Sequence, residues 1–213
     1  MFTGKCVLLD RDGVLNEEKG DYVYRDEDFI IPADVPEGLK ALKAAGFALV
    51  VVTNQGGINK GLYTREAVLQ LHEKIQQACD HCLDYLLFAP WHREFSLSLS
   101  SKPGSLMMER GLALTQSLPE QSWLIGDAER DMAGGKKAGV RTILIPTRKE
   151  TESPLADFVC PDFKTAAEII LCHGNQLSIL CFLLRCITFA PCEGHHQHID
   201  CPLDSIGQPD AGE

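Results

Sequence analysis

The stretch Cys6-Val7-Leu8-Leu9-Asp10-Arg11-Asp12-Gly13-Val14-Leu15-Asn16 decides the fold. Its first four residues are apolar whichever way their side chains point, as in a strand buried on both faces, and the run ends abruptly in a carboxylate. Two carboxylates two positions apart would point to opposite sides of a continuing strand. Gly13 lets the chain turn, so that Asp10 and Asp12 can face one pocket. A carboxylate can attack phosphorus to give an acyl phosphate, dividing one hard hydrolysis into two easier steps. A second can protonate the leaving alcohol and then take a proton from water, a role worth roughly 10²–10⁴-fold. An Asp-rich turn that merely ends a strand has the same appearance, so the rest of the chain must decide.

Outward from this strand, short apolar runs alternate with longer amphipathic ones. Residues 36–46 (PEGLKALKAAG) read as a helix with proline near its start and glycine at its end. Residues 48–52 form an almost pure β-branched strand ending at Thr53. Further helices are predicted over 64–81, 105–118, 130–139 and 164–171, with Thr64 opening the first of them. Strands are predicted over 84–88, 123–126, 141–145 and 158–160. Each strand being a continuous apolar run, the alternation predicts an α/β fold: a Rossmann-like three-layer sandwich around a mostly parallel sheet. In such sheets ligands bind beyond the carboxyl ends of the strands. Asp10, Asp12, Thr53, Asn54 and Asp127 all fall there.

Three further segments carry chemistry. Thr53-Asn54-Gln55-Gly56-Gly57 offers a hydroxyl and glycine-exposed N–H groups for phosphate oxygens, although a plain strand-to-helix turn reads the same way. Lys102-Pro103-Gly104 supplies a cation that can neutralise a nucleophile and a transferring phosphoryl group, where an isolated lysine is ordinarily solvated surface. Gly126-Asp127-Ala128-Glu129-Arg130-Asp131 supplies oxygen ligands of the kind Mg²⁺ prefers. Asp131 reads equally as a helix N-terminal carboxylate favoured by the macrodipole.

With DRDGVLN, VVVTNQ, Lys102-Pro103 and GDAERD in this order, the chain resembles the haloacid dehalogenase-like (HAD) superfamily of phosphatases over roughly residues 5 to 147. The resemblance implies Asp10 as nucleophile and Asp12 as general acid/base. It implies Mg²⁺ held by Asp10, the Asp12 backbone carbonyl and Asp127, and substrate phosphate held by Thr53, Asn54, Gln55 and Lys102. More narrowly, DRDGVLN with Asp21-Tyr22-Val23 and TNQGGINKG resembles the heptose-1,7-bisphosphate and histidinol-phosphate phosphatases. The segments between Gly13 and Thr53 and between Thr53 and Lys102 are too short for a large cap domain. Departures stand out as well. The zinc-binding loop usual in that group is shortened here to a segment in which His92 is the one remaining candidate ligand, and structural zinc needs four, so no zinc is expected. Ser101 stands where an arginine is usual, and Ala128 where a basic residue often follows the aspartate. The expected substrate is thus a small phosphorylated metabolite such as a sugar phosphate or bisphosphate. Histidinol phosphate and nucleotides are alternatives, as is a binding module that keeps the fold.

Composition narrows the partners. Among 213 residues the formal net charge is −10, which argues against nucleic acid or an anionic membrane surface as partner. The start of the chain shows no basic segment followed by an apolar one, so a cytoplasmic protein, acting as a monomer, is expected. The nine cysteines lie mostly in apolar runs and read as reduced, buried thiols. The longest apolar stretch, Leu177 to Ala190, is interrupted by Arg185 and falls short of the roughly 20 residues a spanning helix needs. From residue 174 the βα rhythm stops. A poorly ordered extension is expected there, with Cys192, His195, His196, His198 and Cys201 in a spacing that matches no zinc finger.

Overall fold

The computed structural model describes residues 3–147 and 151–174. Six parallel strands form one sheet in the order β3-β2-β1-β4-β5-β6. They are β1 (Cys6–Leu9), β2 (Ala48–Asn54), β3 (Tyr85–Ala89), β4 (Trp123–Gly126), β5 (Arg141–Leu144) and β6 (Phe158–Val159). The crossovers carry α1 (Val35–Ala44), α2 (Arg65–Ala78), α3 (Leu106–Leu114) and α4 (Glu129–Ala138), and α5 (Phe163–Gly174) follows β6. The C-terminal extension and its Cys/His cluster lie outside the described residues.

Strand alternation divides the core. Val7, Leu9, Leu49, Val51 and Ile125 point to one face, where they meet Leu39 and Leu42 of α1, Leu71 and Ile75 of α2, and Phe163 and Ile170 of α5. Cys6, Leu8, Val50, Val52 and Leu124 point to the other, against Met107, Met108 and Leu112 of α3 and Ala138 of α4. Helices on both faces leave the central strands no water-facing side, which is why those strands are apolar throughout. The thiols of Cys6, Cys79, Cys82 and Cys160 are free and buried in these layers. No helix among the described residues is long and apolar enough to cross a membrane.

Local signals account for most boundaries. Pro36 sits in the first turn of α1. The Thr64 hydroxyl accepts from the Ala67 amide and opens α2. Gly139, in the left-handed region, closes α4. Two helices are shorter than their sequence suggests. The segment 64–81 is helical over Arg65–Ala78, and beyond it Asp80 and His81 turn to φ 54° and 55°. The segment 105–118 is helical only over Leu106–Leu114. There the Thr115 hydroxyl donates back to the Gly111 carbonyl, and Gln116 turns to φ 51°. A side chain competing for the helix's own carbonyls ends it early.

The chain runs from β1 outward to β2 and β3, then returns to lay β4, β5 and β6 on the opposite side. The order therefore reverses between β1 and β4, and the crevice beyond their carboxyl ends is where such a sheet takes its ligand. The two connections bordering that crevice, residues 10–34 and 90–105, contain one short 3₁₀ turn at Asp26–Asp28 and no separate cap domain.

Candidate active site

Asp10 leaves β1 at the reversal point, with its amide still donating to the Ile125 carbonyl of β4 at 2.9 Å. Asp127 leaves β4 beside it. Gly13 then makes the turn at φ 87°, and a Cβ there would stand 2.4 Å from Asp127 Oδ2. Glycine is thus required twice over, for the backbone conformation and for the approach of the two loops.

Lys102 organises the centre of the site. Its ammonium stands 2.7 Å from Asp10 Oδ1 and 2.6 Å from Asp131 Oδ1, and donates to the Val52 carbonyl at 3.0 Å. The contacts to the two carboxylates are ion pairs, and the one to Val52 is a hydrogen bond. The side chains of Lys102 and Asp131 are fully enclosed, and that of Asp10 nearly so. Burial opposes the lysine's charge, but Asp10 and Asp131 outweigh it and raise the pKa. Asn54 fixes this lysine from the backbone side. Its carbonyl oxygen accepts from the Lys102 amide at 2.9 Å, and its NH₂ donates to the Lys102 carbonyl at 3.1 Å. Asn54 also lines the cleft described below.

Asp131 takes the helix N-terminal position that is one of its two readings. It accepts from the Ala128 amide at the start of α4 and also joins the buried charge cluster. The carboxylates of Asp10, Asp127 and Asp131 each place an oxygen within 4.8 Å of the others, the one such group among the described residues. Burial, reinforced by Asp10 and Asp131, pushes the Asp127 carboxyl up to about 8. Its Oδ1 is buried and receives no hydrogen bond, and the Arg130 guanidinium stands 3.5 Å off. Crowded oxygens with an orphaned buried acceptor fit a hard divalent cation such as Mg²⁺.

Asp12 is held differently. Its carboxylate, 23 % exposed, accepts from Arg11 Nη2 at 2.8 and 3.0 Å, Arg11 Nε at 3.2 Å, Asn16 Nδ2 at 3.1 Å and Gln55 Nε2 at 3.0 Å. Gln55 also donates to the Thr53 hydroxyl at 2.9 Å, so Asp12 and Thr53 are bridged by one amide. The structure thus brings Asp10, Asp12, Thr53, Asn54, Gln55, Lys102 and Asp127 to one end of the sheet.

A cleft of about 510 Å³ opens at this end of the sheet. Asp12, Asn54, Gln55 and Lys102 form its floor, and Glu18, Asp21, Tyr22, Trp91, Arg93 and Arg130 stand around it. Reading the sequence did not single out Arg93 or Arg130. The one available signal was that Arg130 lies a helical turn after Asp127.

Residues 100–167 match the HAD-hydrolase-like family. Over 174 residues the chain is 34% identical to the D-glycero-beta-D-manno-heptose-1,7-bisphosphate 7-phosphatase of Helicobacter pylori, covering 80% of this chain and 99% of that protein. The chain belongs to the HAD family of phosphatases. As a HAD phosphatase it is a phosphoric monoester hydrolase. Its fold is shared by the D,D-heptose 1,7-bisphosphate phosphatase of B. bronchiseptica, solved with magnesium and phosphate, at a TM-score of 0.72 and 24% identity over 78% of this chain and 98% of that one. The corresponding enzyme of Burkholderia thailandensis superposes with a TM-score of 0.57 at 27% identity, covering the same 78% and 98%. The fold is thus common to this HAD phosphatase and these relatives.

Proposed function

We propose that this phosphatase removes one phosphate from a sugar bisphosphate of the heptose 1,7-bisphosphate type, with Mg²⁺, through a phosphorylated Asp10. The observation that carries the reading is a buried Asp10 neutralised by Lys102, with a second carboxyl two residues on, Asp12, that lines an open cleft together with that lysine. Asp10 attacks phosphorus and the ester P–O bond breaks. The leaving oxygen takes its proton from the carboxyl of Asp12. Asp12, now a carboxylate, takes a proton from water, which attacks the acyl phosphate and frees inorganic phosphate and Asp10. Asp10, Asp127 and the Asp12 carbonyl would hold Mg²⁺, which supplies charge stabilisation to the phosphoryl oxygens when bound. The Thr53 hydroxyl and the remaining Asn54 N–H are donors for the same oxygens.

The bisphosphate part of the reading is supported by the relatives' activities and by the cleft itself. Positive charge missing at Ser101 and Ala128 is returned to the same cleft by Arg93 and Arg130, which suit a second phosphate. Glu18 and Asp21 accept from sugar hydroxyls, and the rings of Tyr22 and Trp91 offer apolar faces to a pyranose. Asp10→Asn is expected to reduce hydrolysis of 4-nitrophenyl phosphate and of heptose 1,7-bisphosphate to background while leaving the fold intact. Wild-type turnover by that variant would overturn the mechanism. Normal hydrolysis of the nitrophenyl ester by the unmodified protein, with no preference for the bisphosphate over simple sugar phosphates, would overturn the substrate alone.

A further inference from the structure

Of the groups that hold Asp12, Arg11 and Asn16 belong to its own turn, residues 11–16, and move with it. Gln55 is the donor that ties Asp12 to a different element, the end of β2, where the same amide also meets Thr53. The distance between the proton-transferring carboxyl and the phosphate-side hydroxyl is therefore set by how Gln55 is turned. An amide can be reversed end for end, and a reversed Gln55 would present its carbonyl oxygen to the Asp12 carboxylate. The group that prevents this is Tyr63, whose hydroxyl donates to Gln55 Oε1 at 2.8 Å. Burial raises the phenol's pKa and keeps it a donor.

The ring is itself held in place. Tyr63 stacks on Tyr24 with centroids 5.1 Å apart and planes 15° from parallel. Tyr22, a residue of the cleft wall, lies against it at 6.0 Å. On the other side it occupies the space a side chain at position 57 would need: a Cβ on Gly57 would stand 2.1 Å from the ring. A buried, closely packed aromatic ring thus ends on the one unclaimed polar atom of the amide that braces the acid.

We infer that Tyr63 is a positioning residue: acting through Gln55, it holds Asp12 in register with Thr53, so its hydroxyl matters to the extent that the leaving group needs a proton. This rests on the assignment of Asp12 as general acid. The leaving group separates the two claims. The nitrophenolate of 4-nitrophenyl phosphate departs without a proton, whereas the leaving group of phenyl phosphate has an acidity near that of tyrosine, pKa about 10. Tyr63→Phe keeps the ring and removes the hydroxyl. Its kcat/KM should fall about three- to tenfold on phenyl phosphate, the range of one lost hydrogen bond, and less than twofold on the nitrophenyl ester. Inhibition by inorganic phosphate should be unchanged. In an Asp12→Asn background, where phenyl phosphate hydrolysis is already slowed more than nitrophenyl phosphate hydrolysis, adding Tyr63→Phe should cost nothing further. Equal losses on both esters from Tyr63→Phe, or the same loss with and without Asp12, would overturn the positioning role. An Asp12→Asn variant with no dependence on the leaving group would overturn instead the acid assignment beneath it. The cycle compares two backgrounds, so a modest loss of stability in Tyr63→Phe does not affect its outcome.

Discussion

Lys102 and Leu99 stand three residues apart in the chain and belong to opposite kinds of environment. Lys102 is wholly enclosed, and its ammonium stands between two carboxylates and a backbone carbonyl. Leu99 is 76% exposed, as are Leu97 at 95% and Phe95 at 63% in the same loop. At the carboxyl ends of β1, β2 and β4, desolvation makes every charge depend on its neighbours, and one change must spread to the others. Along the loop after β3, Phe95, Leu97 and Leu99 stand largely in water. The first region suits one reaction held constant. The second suits recognition that can vary.

The contrast can be broken most forcefully at Lys102. Lys102→Met leaves Asp10 and Asp131 buried without their cation, and should cost ~3–5 kcal/mol in urea unfolding, as breaking one partner out of a buried ion pair does. Turnover should be lost with it. A variant as stable as the parent would mean that the cluster is not a coupled unit.

A smaller effect should follow from pH. The Asp127 carboxyl is raised from 3.8 to about 8 in the fold, so the folded state holds a proton that the unfolded chain has released across that interval. Its contribution to stability is complete below the unfolded pKa and disappears as pH rises through the folded one. In EDTA, the melting temperature should carry a component that declines between about pH 4 and pH 8. Saturating Mg²⁺, by binding the carboxylate form, should flatten that component and raise the melting temperature most at the alkaline end. An identical slope with and without Mg²⁺ would place the ion elsewhere.

On the exposed side effects should be local. Arg93→Ala should raise KM for heptose 1,7-bisphosphate about tenfold, the scale of a hydrogen bond to a charged group, while kcat on 4-nitrophenyl phosphate stays near the parent value. Equal loss on both substrates would show that the cleft wall is part of the catalytic unit after all. Leu97→Ser should change stability by no more than about 0.5 kcal/mol and leave both substrates unaffected. A larger change would mean that this leucine packs against something the isolated chain does not contain.

Much of the fold could be read in advance because two periodicities coincide with two burial patterns. Runs such as Ala48–Val52 are apolar on both faces because helices cover both, and α1 and α2 show the single apolar stripe of a helix on a sheet. The error at the end of α3 has a local cause that propensity does not register, a threonine hydroxyl turned back onto the helix's own carbonyls. At the site, Asp10, Asp12, Thr53 and Asp127 were legible because they follow strands, and in a parallel sheet every such residue arrives at one edge. The two readings of Asp131 could not be separated from sequence; in the structure it opens α4 and also pairs with Lys102 beside Asp10 and Asp127.

What the sequence by itself determined is the reaction: two carboxyls past a buried strand, with a hydroxyl, a lysine and a further aspartate in the order that a HAD phosphatase requires. What only the tertiary structure decided is how those groups constrain one another. Lys102 meets Val52, 50 residues away, and Gln55 meets Asp12 across 43. Tyr63 reaches Asp12 only through that amide, and Arg93 and Arg130 converge on one cleft from the loop after β3 and the first turn of α4. The physical reason is that a strand or helix is announced by its neighbours a few positions along. A buried charge or a hydrogen-bonded brace is matched to partners brought near only when the sheet closes.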